Sequence, residues 1–207
     1  MRKAAYRIAP ASEEFFGLLV CVIFFLSGVV VGTFSARTLS EAGTLALQTS
    51  MIGYIDQITM GTYVAPGFLQ TLWVTGRVHL LVLFLGFSLL GAFCLPIVAG
   101  VRGFYLSFSI AAFIRAFGTG GWLLAFSLFG VVALITVPCF FLLVSQAFSS
   151  SANLGKSAIG TGKIQVRELY GRSFRVRTAL CTLGMIAAVL VEIYLVPMLV
   201  VWTSSFI

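Results

Sequence analysis

Long uninterrupted apolar runs dominate this chain, and they leave few folds open to it. A bilayer's hydrocarbon core of about 30 Å is crossed by roughly 20 apolar residues in a helix. Residues 15–34, 80–101, 122–148 and 178–201 each supply such a run, and residues 104–117 supply a shorter one containing Arg115. Within lipid every backbone N–H and C=O must be satisfied inside the segment, so runs of this length read as helices. With 60% hydrophobic residues and only 9% charged ones in 207, the chain is an all-α polytopic membrane protein, a bundle of about five transmembrane helices. The third helix, 104–117, is short for a span. It is read either as a helix sheltered by its neighbours or as half of a re-entrant hairpin.

The whole of 1–207 then forms one integral membrane domain, with an outer loop 38–76 and a basic cytoplasmic loop 149–177. Basic residues set the orientation. With a cytoplasmic N-terminus, ten of the 13 Lys and Arg fall inside, Arg102 among them, and Arg37, Arg77 and Arg115 fall outside. Trp73, Trp122 and Trp202 then all lie at the outer interface, where indoles settle. The expectation is a multi-pass protein of the cell membrane with its N-terminus cytoplasmic and its C-terminus outside. The net charge of +7 belongs to the cytoplasmic face and the lipid headgroups there, and requires no nucleic acid. The first apolar run is too long and lacks a small-residue cleavage site, so it reads as a retained helix.

The outer loop carries Thr38 and Glu41 at capping-box spacing, followed by Leu47, Met51, Ile55 and Ile58 at helical spacing. This reads as a helix lying flat on the outer leaflet or capping the bundle, and its apolar face is a candidate partner-binding site. The cytoplasmic loop offers Arg167, Arg172, Arg175 and Arg177 as a candidate basic face for acidic lipid or an acidic partner, a role that a positive-inside anchor would equally fill. Its Gly155-Lys156-Ser157 lacks the upstream glycine of a phosphate-binding loop, since Ser150 stands there. Arg115 and Glu192 are ionisable residues at matching depths, so they form a candidate intramembrane ion pair; alternatively Arg115 snorkels to the outer surface. Gly28 with Gly32, and Gly184 with Ala188, have the small-xxx-small spacing of close helix packing, either inside the bundle or in a homo-oligomer. Cys21, Cys94, Cys139 and Cys181 are scattered one per helix and match neither a metal site nor a disulfide framework. No cofactor is implied. Few polar residues are expected to converge at mid-membrane, as a transporter would need.

The order of several short motifs resembles a known family. These are Phe68-Leu69-Gln70-Thr71, His79, and Leu85-Gly86-Phe87-Ser88-Leu89-Leu90-Gly91 running to Pro96. Arg102-Gly103-Phe104, Gly121-Trp122 and a Pro138-containing helix follow. Across residues 67–147 this is similar to stage II sporulation protein M. The resemblance implies a non-enzymatic scaffold that organises peptidoglycan-remodelling proteins, peptidoglycan hydrolases among them, during engulfment. The residues themselves supply no Ser/His/Asp set and only one histidine, His79. The competing expectation is a small transporter or the permease subunit of an ABC-type exporter, with 149–177 as its coupling segment.

Overall fold

The computed structural model describes residues 11–158 and 170–204, and within them the chain is helical with no strand. Six helices follow in order. They are α1 (Ala11–Ala36), α2 (Glu41–Thr59), α3 (Phe68–Gly86), α4 (Gly91–Phe117), α5 (Gly121–Ala158) and α6 (Arg172–Thr203). All but α2 are long and apolar enough to cross a bilayer, which makes five candidate spans. The fold is an all-α polytopic membrane bundle.

The number of spans matches the sequence reading, but two boundaries move. The second span is α3, which begins at Phe68, inside the stretch read as outer loop. It ends in a tight turn at Phe87–Leu90, not at Arg102. The third span is α4, 27 residues long and unbroken, so it is neither short nor re-entrant. A charged residue inside an apolar run looks like a helix end only while its neighbours are unknown. The turn itself consists of Phe87, Ser88, Leu89 and Leu90, and hydropathy cannot mark it.

That turn is held by hydroxyl groups. The Ser88 Oγ accepts from Leu90 N (3.3 Å). From α5, the buried Ser151 Oγ donates to the Ser88 carbonyl (2.7 Å) and accepts from Ala92 N (2.8 Å). The Ala92 N–H, one of the orphan donors at the start of α4, is thereby satisfied. Glycine is required at Gly91, because a Cβ there would lie 2.0 Å from the Leu85 carbonyl oxygen. Residues 149–158, read as part of a cytoplasmic loop, are the last turns of α5, with Ser149, Ser150 and Ser151 buried.

The closest packing joins α1 to α4. A Cβ on Gly28 would meet the Gly100 carbonyl oxygen at 2.0 Å, and one on Gly32 would meet Ser107 Oγ at 2.3 Å. The small-residue spacing in α1 therefore serves packing within the chain, with backbone lying on backbone. Gly184 likewise faces Cys139, and Ala188 is fully buried. Cys21 and Cys181 are buried, Cys94 and Cys139 are half-buried, and all four are free.

Two apolar clusters fill the bundle. One gathers Cys21, Phe25, Val82, Leu95, Ala99, Phe140, Leu143, Val144, Ala147 and Cys181. The other lies under α2 and gathers Met51, Phe113, Leu124, Ala125, Val196 and Val200. α5 and α6 each contain a π-helical turn, at Phe126–Gly130 and Val191–Leu195, closed by Val131 N–H to Phe126 O and Val196 N–H to Val191 O. The second lies just before Pro197, whose ring would clash with the carbonyl of a regular preceding turn.

Candidate functional site

Arg102 lies eleven residues into α4, about 16 Å from the start of that helix at 1.5 Å per residue. This corrects its assignment to the cytoplasmic end of a span, because it lies in the interior of the bundle at mid-depth. The guanidinium stacks over the Phe140 ring, 5.2 Å from the centroid, and its buried Nε has no hydrogen-bond partner. A cavity of about 20 Å3 opens beside it, lined among others by Thr75 and His79 of α3, Thr136 and Cys139 of α5, and Met185 of α6. A void needs roughly 10–15 Å3 to hold one water, so this one takes a single small occupant.

Hydrogen bonds extend from the cavity in both directions. His79 Nε2 lies 3.2 Å from Thr182 Oγ1, and that hydroxyl already donates to the Thr178 carbonyl at 2.9 Å. Nε2 therefore carries the proton and donates to Thr182. Thr178 Oγ1 in turn accepts from Gln146 Nε2 at 3.2 Å. On the α2 side of the cavity, Thr75 Oγ1 donates to Glu192 Oε2 at 3.1 Å. Glu192 sits on the π turn of α6, close enough to α2 for its charge to act on Tyr54. Burial first, then a hydrogen bond with Tyr63, and last that charge keep the Tyr54 hydroxyl protonated well above the usual tyrosine range. A polar seam thus runs through an apolar bundle along α3 and α6. The polar convergence that the sequence reading did not expect is present.

Arg115 and Glu192 do not form the expected pair. Arg115 is exposed two residues from the end of α4 and donates to the Arg37 carbonyl, capping the end of α1. This agrees with the alternative of an arginine reaching the surface. Glu192 instead faces Thr75. Equal depth along two helices does not place two side chains on facing sides.

The candidate docking face of α2 is turned inward. Met51 is buried, Leu47 and Ile55 pack beside it on the cluster around Phe113 and Val196, and Gln48 Nε2 donates to the Ala116 carbonyl. Ile58 is half-buried. The helix exists, but its apolar stripe is used by the chain's own bundle. The cap is Ser40, which accepts from Gly43 N, while Thr38 donates to Ser35 O. Of the basic face, Arg167 lies outside the described residues. Arg172 and Arg175 are exposed, and Arg177 bridges to Glu14 at 2.9 Å.

Arg77 occupies a position the sequence did not reveal. It was read as an outer flank, yet it is the middle residue of α3, nine residues from either end, and next to Gly76, whose neighbour across the interface is Met185. It is exposed on the bundle perimeter, in a stripe with Trp73 (67% exposed) and Phe84 (74%). Among the described residues, no group of three His, Cys, Asp or Glu could hold a metal ion.

No known family, no curated protein and no solved structure matches the chain.

Proposed function

We propose that this protein is a non-enzymatic membrane scaffold that assembles with partner proteins, in the manner implied by its resemblance to stage II sporulation protein M. Its partners on that reading are peptidoglycan-remodelling proteins. One observation carries the proposal. Arg77 is a permanent charge halfway along an exposed stripe of a candidate membrane span, about 14 Å along the helix axis from either end of α3. Cations at that depth face protein or pair with carboxylates, because exposure to hydrocarbon costs several kcal/mol. The occupant that fits is a partner's membrane helix presenting Asp or Glu between the Trp73 and Phe84 levels. Recognition through α3 replaces recognition through α2, whose apolar face is already covered.

Photo-crosslinking tests this in native membranes. A crosslinker at Leu80, exposed on the same flank, should give an adduct with a membrane helix carrying a carboxylate. Arg77→Leu should abolish the adduct and Arg77→Lys should keep it. Adducts with lipid alone would overturn the proposal.

We further propose the cell membrane as the location, with the start of α1 and the α5–α6 connection in the cytoplasm. With Arg77 and Arg102 at mid-depth, nine basic residues fall on that side against Arg37 and Arg115 on the other. Exposed Trp122 and Trp202 lie at the α2 end of their helices, consistent with an outer interface.

A second reading is the small transporter or exporter permease subunit, and the mid-depth convergence around Arg102, His79 and Glu192 favours it. Solute flux through proteoliposomes of the protein alone, lost in Arg102→Gln, would move the conclusion to this reading.

A further inference from the structure

We propose that the cavity beside Arg102 is a binding site for a single halide-sized anion. The inference stands on the interior of the bundle and is independent of any partner at Arg77.

A guanidinium keeps its charge in any protein environment. Held at mid-depth, it needs a compensating negative charge. The Phe140 ring covers one face of Arg102, and the buried Nε–H has no acceptor on it. Each packed element contributes a different group around it. α1 brings Phe25, whose backbone and ring both lie against Gly103. α3 brings Thr75 and His79, and α5 brings Thr136 and Cys139. α6 brings Glu192, but this carboxylate is taken up by Thr75 and makes no ion pair with Arg102. An ion pair forms in a different part of the molecule, between Arg177 and Glu14.

Size then selects the ligand class. About 20 Å3 accommodates one monoatomic ion or one water. Phosphate, sulfate or a carboxylate-bearing metabolite would have to extend beyond it. Arg102 and Thr136 are among the residues that line the void, and no carboxylate lies on its wall. Rings of such donors are how membrane proteins hold anions in place of their hydration shells. A water in the same void would leave Glu192, beyond Thr75, as the compensating charge. A halide completes both the hydrogen bond and the charge.

Glu192 stands one hydroxyl away, through Thr75, and its charge opposes the anion. This gives the proposal a sign that mere packing would not share. Removing the Glu192 charge should tighten halide binding, and removing the Arg102 charge should abolish it.

The test uses the full chain purified in detergent, melted in sodium chloride, sodium bromide or sodium gluconate at equal ionic strength. Wild type should melt several degrees higher in either halide than in gluconate, saturably with concentration. Glu192→Gln should lower the halide concentration needed by about tenfold. Thr136→Val, which keeps both charges, should raise it several-fold, and this variant covers the case in which Arg102→Gln does not fold. Arg102→Gln should melt identically in halide and gluconate. Equal melting of wild type in all three salts would overturn the proposal, and would mean that Glu192 compensates Arg102 through a water. Halide dependence unchanged in Thr136→Val and Glu192→Gln would overturn it as well, by placing the ion elsewhere.

Discussion

Adding one methyl group at Gly28 tests the packing on which the bundle is built. A Cβ at this position would lie 2.0 Å from the Gly100 carbonyl oxygen, whereas ordinary contact begins at 3.4 Å. The obstacle is backbone, so no rotamer change relieves it, and α1 must move off α4 by more than an ångström. Displacement of that size leaves the flanking contacts with gaps that forfeit about a quarter to a half of their dispersion energy. Overpacking of this kind costs about 1–3 kcal/mol, occasionally more, and the better helix propensity of alanine returns about 0.5–1 kcal/mol. Gly28→Ala should therefore destabilise the protein by about 1–2 kcal/mol, which reduces its folding equilibrium roughly 5–30-fold. The control is Gly53→Ala on α2, where nothing lies within 4 Å of the new methyl. It should stabilise by about 0.5–1 kcal/mol. Unfolding of the two variants in mixed detergent–SDS micelles, followed by far-UV circular dichroism, measures the difference. If Gly28→Ala and Gly53→Ala shift the transition in the same direction, α1 does not pack on α4 through this face.

Ser151→Ala removes the hydroxyl that serves both Ala92 N and the Ser88 carbonyl, and should cost about 1–3 kcal/mol in the same assay. Arg115→Leu and Glu192→Leu touch separate partners, so their effects should add in the double variant; a coupling energy above about 0.5 kcal/mol would restore the ion pair. Tyr170 donates to the Gly86 carbonyl, and burial raises its pKa, so the folded state holds this proton more tightly than the unfolded chain. Its contribution is fully present below the unfolded value of about 10 and is lost as pH rises beyond it. Alkaline melting between pH 9 and 12 should therefore fall less steeply for Tyr170→Phe than for wild type. A reporter that works only outside the membrane should fail when fused after Ser157 and work after Thr203; the reverse result would refute the proposed orientation.

The number of spans was legible because length and hydropathy are local properties. Their boundaries were not, and Arg102 shows why. A charge with apolar residues on both sides is ambiguous until its shelter is known, and that shelter comes from α3, α5 and α6, distant in the sequence. Phe87–Leu90 misleads in the opposite direction, because its turn depends on Ser151 from another helix. α2 was legible as an amphipathic helix from the spacing of Leu47, Met51 and Ile55. Which surface its stripe would cover was not, since an apolar stripe suits the chain's own core as well as a partner. The interior site escaped notice for the same reason: Glu192 stood out, but its partners Thr75, His79 and Thr136 are brought to it and to Arg102 only by the packing of separate helices. The small-residue pairs were more informative, because close backbone approach leaves a mark in the residues that permit it.

The two π turns make the end of the bundle under α2 tolerant of a change in chain length at two particular places. Each carries one residue more than a regular turn would hold. Deleting a single residue from Val191–Leu195 would therefore leave an unbroken α-helix in which Val196 and everything beyond it keep the side they face. The same deletion in the regular stretch of α6 that precedes the π turn would instead turn everything beyond it by about 100°. Val196 and Val200 would then leave the cluster they share with Met51. The π turn is thus the place in α6 where a one-residue deletion is absorbed and not passed on as a rotation.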